Sequence, residues 1–194
     1  MRFPASFPEL ETPRLRLRMF QLSDAAHVQR LAGAKQVATT TAVIPHPYPD
    51  GVAESWISTH PAAWRERREL VLASTLQETG ELIGAIGLVF NLPHERGEMG
   101  YWVGVPYWGR GFATEAGTAL LGFAFREMDL HRVRAFHFSR NPASGRAMFK
   151  MGMQKEGESP GAFQKDGQFE DLVFYGAVRE QWLSGRSGPP VPAG

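Results

Sequence analysis

Two glycines one residue apart, Gly109 and Gly111, lie in the stretch YWGRGFATEA, between an apolar run, GEMGYWVGV, and a helix-forming run, TEAGTALLGFAFREM. The layout is a strand, a glycine turn and a helix start. The first N–H groups of a helix have no partner inside it, and the helix dipole makes that end positive. Glycine adopts positive φ and lets a ligand approach the main chain closely. A phosphate or pyrophosphate cradle is the chemistry such a turn offers; an ordinary strand-to-helix turn is the plainer reading. Two competing phosphate signatures fit poorly. No GxxxxGK(S/T) is present, and a dinucleotide GxGxxG would need a third glycine where Thr114 stands.

Other residues bear on chemistry. Glu98 shares a strand face with Gly100, Trp102 and Gly104 by the two-residue period. A carboxylate on a cleft-lining face serves as a general base, directly or through water; a surface glutamate paired with Arg96 is the alternative. Asn141 and Ser144 stand between a strand and a short helix, where capping alone explains both. His46 and His60 precede prolines, His131 and His137 flank a strand, and no pair has i, i+4 spacing. No metal site is expected. Trp56 and Trp64, eight apart on one helix face, read as core.

The elements that position these residues follow from pattern. Leu15, Leu17 and Met19 alternate with arginine and phenylalanine as in a half-exposed strand. Ser23 is placed to cap the helix SDAAHVQRLAGA, with Asp24 favouring its positive end. IPHPYPDG is a loop, and VAESWISTHPAAWRERRE returns to helix. ELVLASTL and ELIGAIGLVF form a hairpin about Gln77–Gly80. GEMGYWVGV is a strand and TEAGTALLGFAFREMD a helix. HRVRAFHF is the next strand, ASGRAMFKMG a short helix stopped by Gly152, and MQKEGE with FEDLVFYGAV closes an antiparallel pair. This order predicts a mixed α/β sheet with helices on both faces. The start, up to Thr12, reads as an extended arm.

With 194 residues and 43% hydrophobic content, the chain is sized for one globular domain. A formal net charge of +1 gives no field that would draw nucleic acid or an anionic membrane. The absence of cysteine removes disulfides, thiolate nucleophiles and Cys-based metal sites. No stretch approaches the ~18 apolar residues of a membrane span, and the N-terminus lacks a signal-peptide core. A soluble, cytoplasmic protein is expected.

YWGRGFATEA resembles the coenzyme A pyrophosphate loop of the GNAT N-acetyltransferases, Q/R-x-x-G-x-G/A, read here from Trp108 to Ala113 with tryptophan in place of the first polar residue. That departure is typical of the ribosomal-protein N-terminal acetyltransferase branch, the RimJ/RimL type. ETPRLRLR, IPHPYP, GEMGYWVG and NPASGRAMFKMGM resemble that branch too, with Met153 where phenylalanine is usual. The resemblance spans nearly the whole chain except its tail.

It implies the GNAT fold of about seven strands, over residues 1–183, with a flexible tail at 184–194. It implies transfer of an acetyl group from acetyl-CoA to a primary amine, foremost a protein or peptide N-terminal α-amine. In that family the strand before the loop splays from its neighbour and its backbone pairs with pantetheine. This carries over to Trp102, Val103 and Gly104, with the Val103 N–H polarising the thioester carbonyl. Gly109, Arg110, Gly111, Ala113 and Thr114 would give N–H groups to the pyrophosphate. The Arg110 side chain either adds charge there or is a solvated loop arginine. Asn141 would contact the coenzyme, Ser144 would serve the leaving thiolate, and Lys150 either reaches the 3′-phosphate end or is simply solvent-exposed. Without cysteine or GxSxG there is no obvious covalent nucleophile, which favours direct attack in a ternary complex. A homodimer is left open. Acetylation of a small amine (an antibiotic, polyamine or amino acid) and a non-catalytic CoA-binding module are the alternatives; the presence of Glu98 with Ser144 speaks against the module.

Overall fold

The computed structural model describes residues 1–185; residues 186–194, most of the expected tail, lie outside the described residues. The strands are β1 (Leu10–Glu11), β2 (Leu15–Arg18), β3 (Glu69–Leu76), β4 (Leu82–Asn91), β5 (Arg96–Val103), β6 (Arg132–Phe138), β7 (Gln154–Lys165) and β8 (Gln168–Val178). The helices are α1 (Ala25–Ala32), α2 (Lys35–Thr40), α3 (Val52–Arg65), α4 (Phe112–Arg126), α5 (Pro142–Lys150) and α6 (Arg179–Leu183). One eight-stranded sheet runs β1-β2-β3-β4-β5-β6-β8-β7, one strand more than expected. The extra strand is β1, whose two residues pair with Arg16 and Leu17 and are too few to show alternation.

All neighbouring strands are antiparallel except β5 and β6. That parallel pair is joined through α4 and holds register over only three rungs, Arg96–Arg132, Gly97–Val133 and Glu98–Arg134. Past Glu98 the strands part, so Met99–Val103 and Ala135–Phe138 leave a fork in the middle of the sheet. β6 stays in place because its other edge is laddered to β8 along its whole length.

Alternation divides the core between the two sheet faces. Met99 packs with Phe112, Leu120, Leu121 and Met148 of α4 and α5. Trp102 packs on the opposite face with Val28 and Leu31 of α1 and Ile57 of α3. Fully burying a leucine such as Leu120 is worth about 1.5–3 kcal/mol, so the α4 face is firmly docked.

Two local expectations change. Ser23 does not cap α1. The chain enters through a 3-10 turn at Leu22–Asp24, where the Gln21 N–H donates to Asp24 Oδ2 at 2.8 Å. Arg18 donates to both Asp24 oxygens at 2.8 and 2.9 Å, and a buried carboxylate with that partner outcompetes a serine hydroxyl. The N-terminal arm is docked as well. Phe3 meets Phe90 edge-on at 5.3 Å and Trp64 at 5.6 Å, and Phe7 lies 5.6 Å from Trp64. No helix among the described residues is long and apolar enough to cross a membrane.

Candidate active site

The turn between β5 and α4 has the conformation its glycines predict. Gly109 and Gly111 have φ of +73° and +80°, in the left-handed region where a side chain is strained. Gly111 is the N-cap of α4, and the first bond of the helix runs from the Glu115 N–H to the Gly111 carbonyl, at 3.0 Å. The N–H groups from Gly109 to Thr114 meet no acceptor among the described residues. A row of bare donors at the positive end of a 15-residue helix therefore faces outward.

That row borders a cleft of about 350 Å³ entering the strand fork. Of the residues nominated from the sequence, Gly109, Gly111, Ala113 and Thr114 form its helix-start side. Trp102 and Val103 line it from β5, and Asn141, Ser144 and Lys150 from α5. These nine, drawn from three separate elements, are brought together. A broader hollow of about 540 Å³ lies at the other end of the β3–β4 hairpin, around Arg67, Arg68 and Asn91, away from all of them.

Val103 faces the fork by strand logic. The next residue, Gly104, donates its N–H to Ile83 of β4 at 2.8 Å, so alternation turns the polar groups of Val103 to the opposite edge. The Val103 carbonyl accepts the Trp108 indole N–H at 2.6 Å. The tryptophan that replaces the polar first residue of the loop thus acts as a side-chain donor to the main chain.

Two nominated residues, Gly104 and Glu98, and the side chain of a third, Arg110, lie elsewhere. Gly104 does not line the cleft: its N–H is used in the β4 ladder, and a Cβ on it would stand 2.9 Å from Leu31. Arg110 turns away, with its guanidinium 5.0 Å from the centre of the Phe112 ring and its carbonyl accepting Arg14 Nη1 at 3.0 Å. Glu98 is on the face that alternation assigned, but it is not part of the cleft wall. Its partner is not Arg96 but Arg134, 2.5 Å away across the last rung before the fork. Its side chain is 34% exposed, and Oε1 has no hydrogen-bond partner among the described residues.

Asn141 occupies the N-cap position of α5, yet its side chain makes no capping bond; the Ser144 N–H bonds to its backbone carbonyl at 3.1 Å. The amide is therefore available to the cleft. Sequence reasoning missed Tyr101. Its hydroxyl lies 2.7 Å from Ser144 Oγ and 3.2 Å from the Ser144 carbonyl. Burial pushes its pKa up to about 12, against the hydrogen bond from Ser144. Alternation gives the face of Tyr101, but the α5 residue it meets is 43 positions away and has no signature in sequence. Thr40 and Thr41, at the end of α2, also line the cleft and were not nominated. No cluster of potential metal ligands occurs among the described residues.

A model of the acetyltransferase (GNAT) domain matches residues 14–154. The uncharacterized N-acetyltransferase YoaA of Bacillus subtilis is 33% identical over 183 residues, covering 89% of this chain and 98% of its own. The ribosomal protein uS5-alanine N-acetyltransferase of Escherichia coli is 32% identical over 88 residues, 45% of each chain. Among solved structures, Mycobacterium smegmatis RimJ in complex with CoA-disulfide matches the fold with a TM-score of 0.81 at 23% identity, over 93% of this chain and 91% of that one. The chain belongs to the GNAT acetyltransferase family. It is an acetyl-CoA-dependent N-acetyltransferase.

Proposed function

We propose that this enzyme acetylates the α-amine of a protein or peptide N-terminus, with acetyl-CoA lying from the α4 start into the strand fork. The observation that carries the placement is the coincidence, in one cleft, of the bare N–H row at Gly109–Thr114 with the Tyr101–Ser144 hydroxyl pair. The row suits the pyrophosphate. Val103 then presents its N–H to the thioester carbonyl, where the oxyanion develops. The amine nitrogen attacks the carbonyl carbon and its proton passes to Glu98, directly or through water. The C–S bond breaks, and the thiolate takes the Ser144 hydroxyl proton as water returns a proton to Ser144 Oγ. Either hydroxyl of the Tyr101–Ser144 pair can donate; with Tyr101 as donor, the Ser144 proton is directed to the cleft.

The acceptor reading rests on the face of β6 and β8 beyond the fork. Phe136 and Phe174 lie there with centroids 6.1 Å apart, and Phe163 is 6.3 Å from Phe136. Three carboxylates on or beside this face are each paired with an arginine: Glu98 with Arg134, Glu156 with Arg132 and Glu170 with Arg140. A polyamine needs unpaired carboxylates; a peptide end with an apolar side chain needs one amine site and an apolar floor. Similarity to an enzyme named for a ribosomal-protein alanine supports the same choice.

The test is acetyl transfer over panels of N-terminal peptides, polyamines, aminoglycosides and free amino acids. Turnover with peptides is expected. Turnover confined to a small molecule would replace this reading, and no thiol release with any amine would leave only a CoA-binding module.

A further inference from the structure

Glu115 sits one residue beyond the N–H row, in the first turn of α4. A carboxylate there suits the helix dipole but opposes any anion at the same helix end. Four donors reach it, all from the segment between β1 and β2. Oε1 accepts the Thr12 hydroxyl at 2.6 Å and the Arg14 N–H at 2.9 Å. Oε2 accepts Arg14 Nε at 2.7 Å and lies 2.6 Å from Nη2. Burial raises the carboxyl pKa, but the bonds from Thr12 and Arg14 outweigh it and hold the group below the usual range. The remaining nitrogen, Nη1, donates to the Arg110 carbonyl inside the glycine turn, at 3.0 Å. The guanidinium also lies over the Phe112 ring, 4.6 Å from its centre.

One arginine thus binds both sides of the turn, the Arg110 carbonyl before Gly111 and the Glu115 carboxylate after it. We infer that Arg14 is a positioning residue for the pyrophosphate loop: it fixes the turn between Arg110 and Glu115 and neutralises a carboxylate that would oppose the bound anion. Its bonds use three guanidinium nitrogens in a planar fork, which lysine cannot reproduce. This rests on the reading that the pyrophosphate occupies the Gly109–Thr114 row.

The readout is the ratio of kcat/KM for acetyl-CoA to that for acetyl-pantetheine, which has the thioester but no pyrophosphate. In the wild-type enzyme this ratio should be far above one; a ratio near one overturns the placement of the pyrophosphate and this inference with it. Arg14→Met leaves the Glu115 charge without its cation beside the anion, and the ratio should fall about tenfold or more. Adding Glu115→Gln to that variant removes the opposing charge and should recover part of the loss. A purely structural role would make the double variant no better than Arg14→Met, and that result overturns the charge-neutralising role. Arg14→Lys keeps the charge but not the fork, and should lower the ratio severalfold; it is the deciding variant if Arg14→Met does not fold. A folded Arg14 variant with an unchanged ratio, while the wild type still prefers acetyl-CoA, overturns the inference and leaves the placement standing.

Discussion

The hydroxyls of Tyr101 and Ser144 lie 2.7 Å apart, joining β5 to α5 across the strand fork. Neither element fixes this alone: β5 turns Tyr101 toward α5, and the Asn141–Ser144 turn sets the serine at the helix start. If Ser144 protonates the leaving thiolate, removing its hydroxyl should cost about 10²-fold in kcat, within the range for a positioned acid. Tyr101→Phe keeps the ring and its burial, and should cost about tenfold, with KM for acetyl-CoA little changed. Because burial holds the phenol near 12, it does not ionise in the assay range. The basic limb of the pH–rate profile should therefore stay in place in Tyr101→Phe. Steady-state kinetics across pH would show a shifted limb if the tyrosine were itself the titrating group.

Gly111→Glu tests the cradle. The nearest atom to a Cβ there is Arg14 Nη2 at 3.6 Å, an ordinary contact, so the substitution is strained by φ and not by crowding. That strain is worth about 1–2 kcal/mol, too little to unfold most domains. The added carboxylate, however, stands where an anion would bind. Calorimetry should find acetyl-CoA binding abolished in a protein that still unfolds cooperatively. Unchanged affinity would place the pyrophosphate elsewhere.

His60 links pH to stability. It is 2% exposed, its ring packs against Trp56 at 4.5 Å and Phe20 at 5.3 Å, and neither nitrogen has a hydrogen-bond partner. Burial lowers its pKa from 6.5 to about 4. The unfolded ring therefore takes up a proton as pH falls through 6.5, while the folded ring does not until about 4. Stability tied to the neutral ring is complete above pH 6.5 and declines between 6.5 and 4. The loss from pH 7 to pH 5 should be about 2 kcal/mol. Urea unfolding of His60→Leu beside the wild type isolates the effect from the carboxylates. Equal losses in both proteins would show that His60 is not responsible.

Much of the site was legible because it depends on local rules. Gly109 and Gly111 were readable from backbone freedom, and the Glu98 face from strand period. Pairings across the chain were not. Arg134 meets Glu98 only because β6 returns parallel after α4, and Arg14 meets Glu115 across 101 positions. Arg110 was nominated for its N–H, with the role of its side chain left open; the guanidinium lies against the Phe112 ring and its carbonyl accepts from Arg14. Gly104 was nominated from the family resemblance as part of the pantetheine-pairing strand, and strand alternation sends its N–H to β4. In the fold, β1 and the six-residue α2 are too short for either periodicity to register. The strand expected at MQKEGE runs on through Ser-Pro-Gly to Lys165 as a bulged edge strand.

Glu98 offers the sharpest test of the chemistry. An α-amine has a pKa of about 8 and a lysine amine one of about 10, so much of either acceptor is protonated at neutral pH. Arg134 holds Oε2 at the vertex of the fork, while Oε1 has no partner among the described residues and is the oxygen able to take a proton. Glu98→Gln keeps the size of the side chain and an oxygen for Arg134 but cannot accept that proton. A positioned base contributes roughly 10²–10⁴-fold, so kcat at neutral pH should fall at least about 10²-fold. Acetyl-CoA affinity should hold, since Glu98 is not part of the cleft wall. Raising the pH toward about 9 supplies free α-amine and should restore part of the rate. A kcat within about threefold of wild type at neutral pH would remove Glu98 from the mechanism. The proton would then pass to a water chain ending on backbone carbonyls, or to His94 in the turn between β4 and β5.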